Sequence, residues 1–138
     1  MQTQQGIFPS WMRGVLLAAT AYNVLWGILI SSSPNSFYSW VLESTDLIAP
    51  EVIRWQGRGV LLIAVVYFAS ALYPNKVWFF PFVGAFTKLA GGIWFYFVVL
   101  EKQINNHAIF HLLINDAVWI PLLIYIGIKA IAYKKLKS

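Results

Sequence analysis

Apolar residues in this chain come in long unbroken runs, not in the alternation of a surface strand or the one-sided stripe of a soluble helix. Four runs stand out: Trp11–Ser31, Ile53–Tyr73, Val77–Leu100 and His107–Ala132. Each reaches the ~20 residues that a helix needs to cross ~30 Å of hydrocarbon. In lipid the backbone must satisfy its own hydrogen bonds, which leaves helices or a closed barrel, and a barrel needs short alternating segments. The pattern predicts an all-α fold: an integral membrane four-helix bundle, one domain over residues 1–138.

The connections refine this. Residues 32–52 form the one long loop, broken by Pro34, Asn35 and Pro50, whereas "YPNK" and "EKQINN" are short. Short connections make the second, third and fourth helices antiparallel neighbours. Pro81 and Pro121 should break or kink the third and fourth helices.

Composition agrees with lipid. Of the chain, 59% is hydrophobic and 11% charged, where soluble domains carry about 25% charged residues. There is no cysteine, which excludes disulfides, thiolate metal sites and thiol peroxidase chemistry. The net charge is +5, but Lys and Arg gather at segment ends among aromatic residues. That is membrane anchoring and not a nucleic-acid footprint.

One side of the bundle holds Arg13, Lys76, Lys129, Lys134, Lys135 and Lys137. The other holds Glu43, Asp46, Glu51 and Glu101, with Lys102, Arg54 and Arg58. The bias predicts both termini in the cytoplasm, the long loop outside, and a multi-pass protein of the cell membrane, as in a bacterial inner membrane. The polar start "MQTQQGIFPSWMRG" shows no small-residue cleavage site, so no removable signal is expected. The tail "YKKLKS" reads as an orientation signal.

Against this background Asn115 and Asp116 are out of place inside the fourth run. At ~1.5 Å per residue, Lys88 lies roughly 18 Å in from Lys76 and Asp116 roughly 13 Å in from His107, so the two share nearly one level. Asn23 reaches that level from Trp11. A lone charge there costs ~2.5–3.5 kcal/mol or more, so Lys88 and Asp116 are expected to pair inside the bundle. Gly84, Gly91 and Gly92 beside Lys88, and Ala19 and Gly27 beside Asn23, suit close helix approach.

His107, His111 and Asn115 are spaced four apart and form a descending stripe, with Asp116 ~100° round from Asn115. Two histidines four apart can share a metal, but no third ligand stands on their face, so no metal site is expected. Arg54 and Arg58 suit a phosphate or carboxylate, or else reach out to lipid headgroups with Glu51. Trp26 and Trp119 are placed to wall a pocket. No cofactor is specified by any motif.

"NVLWG" at Asn23–Gly27, "TKLAGG" at Thr87–Gly92 and "NDAVWIP" at Asn115–Pro121 resemble a small bacterial four-span family carrying N-x-x-W-G, G-K-x-x-G-like and N-D-x-x-W-x-P elements. Here Thr87 stands where the family has glycine before the lysine. Members often carry the label alkyl hydroperoxide reductase, which a chain without cysteine cannot support. The resemblance implies a four-span fold and no particular activity, and its motifs centre on Asn23, Lys88, Asn115, Asp116 and Trp119.

Together these features predict a pocket in the outer half of the bilayer for a small amphiphilic or anionic molecule: a lipid, isoprenoid or quinone-like compound. Arg54, Arg58, His107, His111, Asn23 and Asn115 would meet its polar end, Trp26 and Trp119 its apolar part. Any catalysis would be proton transfer by Asp116 tuned by Lys88. Two other readings stand beside it: an accessory subunit of a larger membrane complex, with Lys88 and Asp116 as a structural clamp, and an oligomeric transporter or channel. No nucleic-acid partner is expected.

Overall fold

The computed structural model describes residues 9–137, with side chains as far as Ala132. Helix α1 runs Ser10–Ser32, α2 Pro34–Val41, α3 Glu51–Leu72, α4 Phe80–Trp94, α5 Asn106–Leu112 and α6 Trp119–Lys137. A π turn at Phe95–Val99 prolongs α4, and another at Leu113–Ala117 joins α5 to α6. Four spans, Ser10–Ser32, Glu51–Leu72, Phe80–Val99 and Asn106–Ala132, are long and apolar enough to cross a membrane. Residues 1–8, on which the reading of no cleavable signal rests, lie outside the described residues, as do the side chains of Lys134, Lys135 and Lys137.

Polarity is inverted relative to a soluble bundle. Leu25, Phe86 and Leu62 are 71%, 70% and 65% exposed, while Asn23, Lys88, His111, Asn115 and Asp116 are buried. Apolar side chains outside and amides and charges inside is the arrangement that hydrocarbon selects.

Glycines set the close packing. At Gly57 an added Cβ would lie 2.6 Å from the Ser31 backbone nitrogen, and at Gly27 it would lie 3.1 Å from the Gly57 carbonyl. Backbone therefore meets backbone between α1 and α3. Gly84 receives the Tyr67 ring and Gly127 the Phe82 ring, which seats α4 against α3 and α6. The half of the bundle toward the α1 N-terminus is filled by apolar residues such as Met12, Leu16, Tyr67, Leu123 and Ile126. Toward the other end lie His111, Asn115 and Asp116 and a second cluster that includes Ile30, Phe37, Ile53 and Phe95.

Two local expectations are corrected. Pro81 does not kink a helix. Residues 74–79 are turns, with Val77 N donating to Tyr73 O at 3.0 Å, and α4 begins only at Phe80. Pro81 thus sits in the first turn, where its missing N–H is no loss. Pro121 falls in the first turn of α6, just after a π turn. The long loop also contains α2. Pro34 opens it, Phe37 and Val41 bury its inner side four residues apart, and Asn105 Nδ2 holds its end by donating to Val41 O at 3.0 Å.

Candidate functional site

Lys88 projects from α4 into the bundle, and its Nζ donates to Asn23 Oδ1 at 3.1 Å. Asn23 Nδ2 in turn donates to Val60 O at 3.2 Å, linking α4, α1 and α3. The rings of Tyr22 and Tyr67 lie 5.9 and 6.0 Å from the ammonium. A buried cation is costly without partners. Here an amide oxygen and two ring faces offset that cost.

Asp116 reaches the same interior through the π turn. Val118 N donates to Leu113 O at 3.0 Å, a five-residue step in place of the usual four. Uninterrupted α geometry would point Asp116 ~140° away from His111. The wider turn instead puts His111, Asn115 and Asp116 on one inward face, all three buried.

The expected Lys88–Asp116 ion pair is not formed. The one ion pair among the described residues is Arg54–Glu51, at 3.9 Å. Asp116 Oδ1 accepts from Asn115 Nδ2 at 3.2 Å, and its carboxylate lies against Gly92, where an added Cβ would be 3.4 Å from Oδ2. Gly92 is one turn beyond Lys88, a rise of ~6 Å. That offset, together with the Asn23 acceptor, keeps the two charges apart.

His111 is enclosed by aromatic rings: Phe95 at 5.0 Å, Phe37 at 5.1 Å and Trp26 at 5.3 Å. Its Nδ1 is buried with no hydrogen-bond partner among the described residues. His107 does a different job: its Nδ1 lies 2.7 Å from Trp40 O and its ring stacks on that indole at 4.9 Å. The two histidines are thus engaged separately. No group of three His, Asp or Glu that would hold a metal occurs among the described residues.

A cavity of about 460 Å³ lies between α3 and α4 and reaches inward to this layer. Asn23, Lys88, His111, Asn115 and Asp116 line it, with Gln56 and Thr87. Trp55, Leu62 and Trp94 form apolar wall. It gathers polar side chains from α1, α3, α4, α5 and the second π turn around one space.

The remaining site candidates lie elsewhere. Arg54 Nη1 donates to Ser31 O at 2.9 Å. Arg58 is exposed, its guanidinium 4.6 Å over the Trp55 ring. Trp26 belongs to the ring cluster around His111. Trp119 packs on Tyr22 at 5.8 Å, with its Nε1 buried and unpartnered among the described residues. Gln56, Thr87, Trp55 and Trp94 are cavity residues that the sequence pattern does not mark as a site. Gln56 carried a usable signal, an uncharged amide four residues after Val52 and four before Val60, on the face that α3 turns inward.

Comparison of the chain with family models, with curated proteins and with solved structures gave no match.

Proposed function

We propose that this multi-pass membrane protein binds a small amphiphile in the cavity between α3 and α4. The polar end would lie against Lys88, Asn115 and Asp116 and the apolar part along Trp55 and Trp94. The supporting observation is convergence: seven polar side chains from four spans line one space of about 460 Å³. That volume falls within the ~300–1,000 Å³ typical of small-molecule sites. On the orientation inferred from the Lys/Arg bias, the cavity lies in the outer half of the bilayer. An amine and a carboxylate held in one cavity without pairing are also arranged for proton transfer to a ligand, with Asp116 as the acid or base.

The bond from Lys88 to Asn23 favours a second reading, in which the polar layer is a cross-link between α4 and α1. Native mass spectrometry from mild detergent separates the two. Binding predicts a bound amphiphile on the parent protein that Asp116→Asn and Lys88→Met lose while remaining folded. A cross-link predicts variants that unfold more readily, with no change in what is bound. A parent protein that carries no amphiphile would remove the binding reading.

A further inference from the structure

On the reading that the cavity binds an amphiphile, its opening and its charge indicate which kind. Six of the bundle's glycines form two contrasting groups, while Gly92 is in ordinary contact with Asp116 and Gly14, near the start of α1, is open but lies away from the cavity. At Gly27, Gly57, Gly84 and Gly127 an added Cβ would meet a neighbour at 2.7 Å or less, so these residues let helices touch. At Gly59 on α3 and Gly91 on α4 it would meet nothing within 4 Å, and both line the cavity and are exposed. Glycine in a helix interior costs ~0.5–1 kcal/mol relative to alanine, and packing gives no reason for it at these two positions. Trp55 and Leu62, 59% and 65% exposed, continue the cavity wall onto the outer, hydrocarbon-facing surface. The gap between α3 and α4 is thus a side opening onto lipid, framed by two bare stretches of backbone.

Behind the opening the polar groups are almost fully enclosed: His111 is 1%, Lys88 5%, Asn115 6% and Asp116 8% exposed. Asn115 Oδ1 and His111 Nδ1 have no partner among the described residues. The ammonium only donates, and the carboxylate and amide oxygens only accept. One cation and one anion leave no net charge, and Arg54 and Arg58 stand outside the cavity. An anionic head would meet Asp116 and a cationic head would meet Lys88, each at a cost. A hydroxyl can accept from Lys88 and donate to Asp116 or Asn115 at once.

We propose that the cavity takes a neutral lipid alcohol, a hydroxyl head on a hydrocarbon chain, which reaches it sideways from the membrane between Gly59 and Gly91.

The test compares oleyl alcohol, oleate, oleylamine and octadecene on the detergent-solubilised protein by native mass spectrometry. Oleyl alcohol should be retained about tenfold or more over the other three, the scale of one unpaired polar group. In the double variant Gly59→Leu/Gly91→Leu each added Cβ meets nothing within 4 Å, and the branched ends crowd the opening. The variant should keep its unfolding temperature and lose oleyl alcohol by a similar factor. The single leucine variants give the same readout if the pair does not fold. Equal retention of oleate, oleylamine or octadecene, or leucine variants that bind as the parent does, would overturn the proposal. If an amphiphile binds with dependence on Lys88 and Asp116 but without preference for the hydroxyl, only this inference falls. If no probe binds, the binding reading falls with it.

Discussion

The carboxylate of Asp116 rests against the bare backbone of Gly92, one helical turn beyond the lysine expected to pair with it. An added Cβ there would lie 3.4–3.7 Å from the Asp116 side chain, ordinary contact. Gly92→Ala should therefore fold and bind as the parent does. Gly92→Leu lays a branched side chain over the carboxylate. Binding of oleyl alcohol should then drop about tenfold or more, as for loss of one polar partner. Native mass spectrometry reads both variants, and a leucine variant that binds normally would show that Asp116 does not face the ligand.

Asn23 is the acceptor that the buried ammonium uses, at 3.1 Å. Asn23→Ala strips that acceptor and also the donor to Val60 O, so it should destabilise by about 1–3 kcal/mol. In the Lys88→Met background the same change should cost less, because no ammonium is left unpaired. A double-mutant cycle followed by unfolding in detergent should give a coupling of about 1–2 kcal/mol. Additive effects would mean that the bond contributes nothing to the fold.

Gly57 and Gly59 are two residues apart and should respond oppositely to the same change. Gly57→Ala drives a methyl to 2.6 Å from the Ser31 nitrogen, so α1 and α3 must separate, at about 1–3 kcal/mol. Gly59→Ala meets nothing within 4 Å and should be neutral or stabilising by up to about 1 kcal/mol. Thermal unfolding of the two variants side by side checks the ordering.

Asn105 serves two helices. Its Oδ1 accepts from Ala108 N at 2.7 Å, capping α5, while its Nδ2 holds the end of α2. Asn105→Ala should cost about 1–2 kcal/mol and loosen α2. Limited proteolysis within residues 33–50 should become faster, while cleavage elsewhere stays as in the parent.

Lipid makes some features easy to read from sequence and hides others. The spans are legible because the hydrocarbon thickness fixes their length. Asn23, Lys88, Asn115 and Asp116 are legible as inward residues because a polar group facing acyl chains is so costly. The same rule fails for Arg58, whose long stem lets the guanidinium settle over exposed Trp55. The partner of Lys88 is not legible because a depth counted from Lys76 assumes helix from that residue on, whereas α4 begins only at Phe80. In "RWQGRG" both glycines look alike, and only the position of α1 makes one a contact and the other an opening. Helix α2 is too short for a hydropathy window, although Pro34 at its start with Phe37 and Val41 four apart was a signal available in the letters.

The π turn at Leu113–Ala117 leaves hydropathy and composition unchanged, and it acts as a frameshift in space. It takes in one residue more than an α turn would and so re-aims the side chains beyond it by about 100°. Tightening it to uninterrupted α geometry would keep every acid, amide and base of the chain, yet would point Asp116 ~140° away from His111. The inward placement of Asp116 is therefore stored partly in a hydrogen-bond register that the composition of the chain does not record.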